Sequence, residues 1–329
     1  MTIPKGKAIE FEMFLTPQCS CRIDDVVILF SLNMKKGITS EIPLKISAVT
    51  ELSTKIDPDE LIEEKKLGEG SFGVVYKGFY RENVVAIKKM KSLQINNAKL
   101  MEEFSNEVSM LGKFRCDYIV HFYGAVFIPN KVCMVTEFAK FGSLNDLITH
   151  KNKEENNMNK RVKFMLDASK GILYLHENGI LHRDIKPDNI LIFSLDLNEK
   201  VNAKLTDFGS SRNINMLMTN MTFTKGIGTP KFMSPEVLKK EKYKKSSDIY
   251  SFAITMYECF IWGESYPKTQ FKYPWEVADF VSAGKRMKIK RSIPDELINL
   301  IENCWTQNPE ERFSIDKVLD ELGNCFVKF

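Results

Sequence analysis

The stretch HRDIKPDNILI, residues 182–192, sets six polar or charged side chains into eight residues, then turns apolar at Ile190, Leu191 and Ile192. That order predicts a loop of polar groups anchored by a short strand. What such groups act on has to be read from the rest of the chain.

Upstream, LGEGSFGVVYKG (67–78) carries Gly68, Gly70 and Gly73 in the spacing G-x-G-x-x-G. In dinucleotide-binding folds a helix follows the third glycine at once, with an acidic residue about 20 positions further on. Here Val74, Val75 and Tyr76 follow. β-Branched and aromatic residues continue the chain as a strand, so the glycines lie in a hairpin. Without Cβ atoms its backbone N–H groups can approach phosphate oxygens closely. A plain glycine hairpin is the alternative, and the next strand weighs against it. Lys88 of Val85-Ala86-Ile87-Lys88 comes fifteen residues after Gly73. Alternation turns Val85 and Ile87 to one face, Ala86 and Lys88 to the other. Lys88 is then expected beneath the glycine loop, with small Ala86 leaving room for a flat base. A lysine there needs a counter-ion. Glu107, on a predicted helix, is the candidate; an exposed helix face is the alternative reading of Glu107.

Residues 1–57 read as strands over EFEMFLT (10–16), VVILFSLN (26–33) and PLKISAV (43–49). Turn-like Thr-Pro, Arg-Ile-Asp-Asp and Lys-Lys-Gly-Ile-Thr-Ser segments separate them. Two readings stand: the last part of an immunoglobulin-like sandwich whose start precedes this chain, or a β-rich appendage docked on the next domain. Strand signals continue through 61–138. One helix over 99–114 interrupts them, where Leu100, Phe104, Val108 and Leu111 form a stripe. After Phe141 helices dominate. Gly142-Ser143-Leu144 opens a short one, 150–160 is a polar loop, and a periodic run follows from Val162 towards Gly179. SSDIYSFAITMYECF (246–260) is apolar nearly all round, which predicts a buried helix with Ser246 or Ser247 as cap. The fold class is therefore α+β, with a β-rich lobe over about 61–138 and a helical lobe over about 142–329. Residues 58–329 make up this domain, preceded by the 1–57 segment.

Composition is ordinary for a soluble globular chain of 329 residues, with 43% hydrophobic and 27% charged residues. A net charge of +4 is too weak to argue for nucleic acid. No apolar run reaches the roughly 18 residues of a membrane span, and the first residues lack a signal-peptide core. Seven cysteines, odd in number and scattered, fit reduced thiols in a cytoplasmic protein. Cys19-Ser-Cys21 has no further ligands near it, so zinc is not expected.

Six features thus stand in one order: the glycine loop, VAIK, the helix glutamate, the His182-Arg183-Asp184 loop, Asp207-Phe208-Gly209 and Ser234-Pro235-Glu236. From about Asp57 to Phe329 the chain resembles a eukaryotic-type protein kinase, whose fold is bilobal. The resemblance implies ATP and Mg2+ as cofactors and the following roles. Asp184 accepts or orients the proton of the acceptor hydroxyl. Asn189 and Asp207 hold metal. Lys88 touches the α- and β-phosphates and pairs with Glu107. Lys186, two residues past Asp184, steadies the γ-phosphate, the serine/threonine pattern; Thr229 approaches Asp184 and Lys186. His182 is expected to pack behind Phe208 rather than act as a base. Glu236 pairs with Arg312, and Asp248 anchors the catalytic-loop backbone. The usual Arg-Pro is Arg312-Phe313 here, a departure that bears on the local turn but not on the charge.

The resemblance also implies a nucleotide site. Leu67, Gly68, Glu69, Gly70, Ser71, Phe72, Gly73, Val75 and Ala86 cover it, and Leu191 forms its floor. Thr136 is the gatekeeper; the Glu137 carbonyl and the Ala139 backbone read the adenine edge. The activation segment, Asp207 to Glu236, holds Thr219, Thr222 and Thr224, and Arg183 is the expected partner of a phosphate there. That phosphate comes from an upstream kinase or from autophosphorylation in trans. Tyr273-Pro274-Trp275, Gly284-Lys285-Arg286 and Cys304-Trp305 resemble the tyrosine-kinase-like group. The reading is a serine/threonine protein kinase acting on protein substrates in signalling. The alternatives are a dual-specificity or tyrosine kinase, and a nucleotide-binding scaffold with little activity.

Overall fold

Alternating apolar residues and a few obligatory glycines shape the first of two units in the computed structural model. The structure describes residues 22–33, 36–50, 53–70, 73–91, 98–150, 156–213 and 230–328. The first unit gathers the described residues of Met1–Asn96 and Tyr123–Val135; the second gathers those of Asn97–Phe122 and Thr136–Phe329.

The first unit begins with an antiparallel hairpin, β1 (Arg22–Asn33) and β2 (Gly37–Val49), with a register shift between Ser31 and Leu32. Two expectations are corrected here. The turn-like Arg22–Asp25 lies inside β1, and Gly37–Ser40 opens β2. Both faces of the hairpin are largely open, with Phe30 57% and Ile42 57% exposed, so polar residues join the strands without a burial penalty. Asp24 accepts from Ser47 Oγ across the pair at 2.7 Å. The expected strand over 10–16 and Cys19-Ser-Cys21 lie outside the described residues.

A five-stranded sheet follows: β3 (Leu61–Gly70), β4 (Gly73–Tyr80), β5 (Asn83–Lys89), β6 (Phe122–Val126) and β7 (Cys133–Glu137), in the order β3-β4-β5-β7-β6. Val85 and Ile87 are buried with Ile56, Tyr80, Val126, Cys133 and Val135, while Ala86 and Lys88 are half-buried. The alternation along β5 therefore puts one face into the core, and each such side chain stabilises by about 1.5–3 kcal/mol. Gly73 closes the glycine hairpin at φ +150, and a Cβ there would stand 2.0 Å from the Lys89 carbonyl oxygen. No other residue fits.

The second unit is built on α1 (Ala98–Leu111), α2 (Leu144–His150), α3 (Met158–Glu177), α4 (Pro235–Leu238), α5 (Lys245–Ile261), α6 (Pro274–Ser282), α7 (Asp295–Cys304) and α8 (Ile315–Lys328). Two short antiparallel pairs accompany them, β9 (Ile190–Ile192) with β10 (Ala203–Leu205), and β8 (Ile180–Leu181) with β11 (Arg212–Asn213). Phe104, Val108 and Leu111 form the buried stripe of α1, and α1 groups with this second unit. Ser143 caps α2, accepting from Asp146 N–H at 3.1 Å. The central helix α5 is buried along nearly its whole length. Its cap differs from the expectation. The helix starts at Lys245, so Ser246 and Ser247 lie within its first turn, and Ser247 Oγ accepts from the Lys244 N–H at 3.2 Å. Among the described residues no helix is long and apolar enough to cross a membrane.

Candidate active site

The polar loop of 182–189 hangs between β8 and β9, and a buried carboxylate holds its start. Asp248, on α5 and fully buried, accepts from the backbone N–H of His182 through Oδ2 and of Arg183 through Oδ1, both at 3.0 Å. His176 Nε2 lies 2.9 Å from Oδ2, and Tyr243 OH donates to Oδ1 at 2.7 Å. Burial alone would raise the Asp248 carboxyl, but the His176 bond and the neighbouring donors outweigh it and hold the group below the usual carboxylate range. Arg183 takes a positive φ of 71°, which aims the residues after it.

Asp184, Lys186 and Asn189 then converge. Lys186 Nζ donates to Asp184 Oδ2 at 2.7 Å. Asn189 Nδ2 donates to the same oxygen at 3.0 Å and to the Asp184 carbonyl at 2.8 Å. A 3-10 turn, Pro187–Asn189, makes this possible by folding the chain back on itself. With Nδ2 committed to Asp184, Asn189 keeps Oδ1 as an oxygen donor, the ligand type Mg2+ takes. Asn189 also reaches the next strand pair, its carbonyl accepting from the Thr206 N–H at 3.0 Å.

Asp207 follows Thr206 with φ 61°, a left-handed conformation uncommon outside glycine. Phe208, 1% exposed, packs its ring edge-on against Phe114 at 5.0 Å and tilted against His182 at 5.2 Å. His182 Nε2 lies 3.0 Å from the Thr206 carbonyl. Its Nδ1 accepts from the Asp184 N–H at 3.4 Å, so the ring packs and orients the backbone of the loop. Gly209 separates two carboxylates. A Cβ there would stand 3.4 Å from Glu107 Oε2 and 3.5 Å from Asp207 Oδ1. Glu107 on α1 is therefore buried beside Asp207, not on an exposed helix face.

The remaining predicted residues fall as follows. Lys88 faces Val75 across the β4–β5 ladder, and Ala86 faces Lys77. Glu69 sits between Lys66 at 2.7 Å and Lys91 at 2.8 Å, whose hydrogen bonds bring its carboxyl down to about 2. Leu67 is 47% exposed on β3. Gly68 pairs with Val75, and Gly70 with Gly73. In the second unit, Leu191 bridges Ser143 beside the segment that follows Thr136, Glu137 and Ala139. Glu137 is fixed twice, its N–H donating to the His121 carbonyl at 2.9 Å and its side chain accepting from the His121 N–H at 2.6 Å. Ser71, Phe72, Thr219, Thr222, Thr224 and Thr229 lie outside the described residues.

Glu236 and Arg312 form a buried bidentate pair, with N–O distances of 2.7 and 2.8 Å. Arg312 also donates to the Ser246 carbonyl at 2.8 Å. Burial is the largest single influence and raises the Glu236 carboxyl, but Arg312 and the neighbouring hydrogen bonds together outweigh it and hold the group below its ordinary value. The Arg-Phe departure has a local use, since the Phe313 N–H, absent in a proline, donates to the Asn303 carbonyl at 3.2 Å.

Sequence reasoning missed four contributors. His176 and Tyr243 complete the Asp248 hub. Lys204 pairs with Glu137 at 2.7 Å. Arg212 adds a second cation beside Arg183. For His176 a signal existed, a histidine on the buried stripe of a helix; Tyr243 lies five residues before Asp248 but nothing in that spacing marks it, and Lys204 and Arg212 meet partners far apart in sequence.

A β-sheet unit with a glycine hairpin, and a helical unit carrying this loop, together define a kinase domain of the α+β class. The protein tyrosine and serine/threonine kinase family matches the chain over residues 61–322. The chain is 35% identical to the probable serine/threonine-protein kinase gdt9 of Dictyostelium discoideum, over 85% of this chain and 19% of gdt9. It is 32% identical to the probable serine/threonine-protein kinase gdt4 of the same organism, over 98% of this chain and 19% of gdt4. It is 35% identical to the serine/threonine-protein kinase STY17 of Arabidopsis thaliana, over 82% of this chain and 45% of that protein. The chain belongs to the protein tyrosine and serine/threonine kinase family. It spans about a fifth of the length of gdt9 and gdt4. Kinases of this family use ATP and Mg2+ to phosphorylate proteins.

Proposed function

We propose that this chain transfers the γ-phosphoryl group of ATP, with Mg2+, to serine and threonine hydroxyls of protein substrates. One observation carries the reading: Asp184 Oδ2 receives both Lys186 and Asn189, within a loop held by Asp248. Oδ2 is thereby saturated, and Oδ1 remains to accept the proton of the acceptor hydroxyl as its oxygen attacks the γ-phosphorus and the bond to ADP breaks. Lys186, already beside Asp184, brings a positive charge to the transferring group. Asn189 Oδ1 and the Asp207 carboxylate are the oxygen donors for metal; Mg2+, when bound, neutralises charge on the phosphates. The glycine hairpin and Lys88 are the phosphate-binding groups of the first unit. Leu67, Val75, Ala86, Thr136, Ala139 and Leu191 are the proposed adenine contacts.

Lys186 and the relatives named as serine/threonine kinases favour that acceptor class. Phosphoamino-acid analysis of a labelled protein substrate is the test. Phosphoserine and phosphothreonine are expected, and predominant phosphotyrosine would overturn the acceptor assignment. Control through the activation segment belongs to the same reading. Burial, with the Arg212 charge added, holds the Arg183 guanidinium below its ordinary value. Among the described residues its buried Nε has no hydrogen-bond partner. A phosphate on Thr222 or Thr224 would supply one. The five described cysteines are free thiols, which suits the cytoplasm as the place of action.

A further inference from the structure

Of the three tryptophans, Trp262 and Trp305 are buried, whereas Trp275 is 60% exposed. It does not stand alone. Its ring stacks on that of Tyr273, itself 41% exposed, at 4.3 Å between centroids and 7° between planes. Hydrogen bonds anchor the backbone of the pair at the start of α6. The Tyr273 N–H donates to Glu276 Oε2 at 2.9 Å, and the Glu276 N–H donates to the Tyr273 carbonyl at 3.1 Å. Just before it, Phe271 is buried edge-on against Tyr266 at 5.4 Å and Phe280 at 5.1 Å. Scattered exposed apolar residues need no account. A preordered, stacked Tyr–Trp pair is different, because these side chains give large contact area at small entropic cost and dominate protein interfaces.

The charge nearby has a sign. Lys272 Nζ lies 5.4 Å from the Tyr273 ring centroid. Helix α4 packs against α6 and leads directly into KKEKYKK (239–245), five lysines against one glutamate. Lys239, Lys240 and Lys242 there are exposed, as is Lys268. Lys244 is paired with Glu310. The exposed acidic groups are fewer. Glu236 on α4 is buried against Arg312, Glu276 is engaged by the Tyr273 amide, and Glu241, Glu264 and Asp279 are the other carboxylates in these segments. The 3-10 turn Pro230–Phe232, which leads into the Ser234-Pro235-Glu236 end of the activation segment, also packs on α6.

We propose that Tyr273 and Trp275, with Lys272 and the lysines following α4, form a docking surface for an acidic segment of a protein substrate, an apolar side chain of which lies on the Trp275 ring. This rests on the kinase reading and adds to it a substrate class. The test uses three synthetic threonine peptides sharing one acceptor sequence: one unextended, one extended by alternating glutamate and leucine, one by alternating lysine and leucine. Steady-state kinetics with labelled ATP should show the acidic extension lowering KM by about tenfold at unchanged kcat. Trp275→Ala and Lys272→Glu should abolish that gain, while Trp275→Phe keeps most of it. The same KM for the acidic and unextended peptides, an equal gain from the lysine extension, or a gain that survives Trp275→Ala overturns the proposal. Tryptophan fluorescence titration reads binding without turnover, Trp275 being the exposed indole. Selective binding of the acidic peptide without phosphate on any peptide would uphold docking and count against the kinase reading. Turnover of the unextended peptide with no effect of the extension would do the reverse.

Discussion

Replacing Arg312 by leucine removes four hydrogen bonds from a buried site. Its guanidinium donates to both Glu236 oxygens at 2.7 and 2.8 Å, to the Ser246 carbonyl at 2.8 Å and to the Thr306 carbonyl at 3.1 Å. It also lies 5.1 Å over the Tyr250 ring. Glu236 is 6% exposed and would keep the Ser247 hydroxyl at 2.9 Å but no cation. Stripping one partner from a buried ion pair costs about 3–5 kcal/mol, because the remaining charge stays desolvated. Leucine recovers some of the packing, so we expect about 4 kcal/mol, which for a unit of this size lowers Tm by roughly 10 °C. Glu236→Gln alone should destabilise by a similar mechanism, leaving Arg312 short of its charge partner. The double variant should lose clearly less than the two single losses combined, by about 2 kcal/mol or more. Thermal and denaturant unfolding of the four proteins measures this cycle. A Tm change under about 2 °C for Arg312→Leu, or single losses that simply add, would refute the reasoning.

Acid provides a second handle. Asp248 and Glu236 both have folded values below their ordinary ones, so each contributes stability that is present above the unfolded value and lost as pH falls through the folded one. Unfolding free energy measured below about pH 4 should fall steeply, and Asp248→Asn should flatten that fall. Gly73→Ala places a Cβ 2.0 Å from the Lys89 carbonyl oxygen at φ +150; the hairpin must distort, at about 1–3 kcal/mol, and KM for ATP should rise with the acceptor-peptide KM little changed. Thr222→Ala/Thr224→Ala protein should show the low activity of phosphatase-treated wild type, whereas full activity after phosphatase treatment would remove these threonines from control.

Local signals carried most of the architecture. Residue alternation in 61–89 and the 3.6-residue stripe through Phe104, Val108 and Leu111 correspond to β3–β5 and α1. The motif spacing placed Asp184, Lys186 and Asn189 on one loop, and the chain reversal at Pro187–Asn189 brings them together. What local pattern missed was set by side-chain orientation and by long-range contacts. The start of α5 gives no sign that Ser247 faces back to Lys244 rather than capping the helix. His176 meets Asp248 only because α3 and α5 converge, whereas Tyr243 reaches it from the residues just before α5. Arg22–Asp25 resembled a turn by composition, yet an open hairpin accepts polar residues wherever the pairing register continues.

Labelled-ATP incorporation into a threonine-containing protein substrate by the wild type and by Asp184→Asn, compared at equal concentration with Mg2+ present, tests the central claim most directly. The account predicts transfer by the wild type and a loss of about 10²–10⁴-fold in the variant at unchanged Tm. Equal incorporation by the two proteins would contradict it.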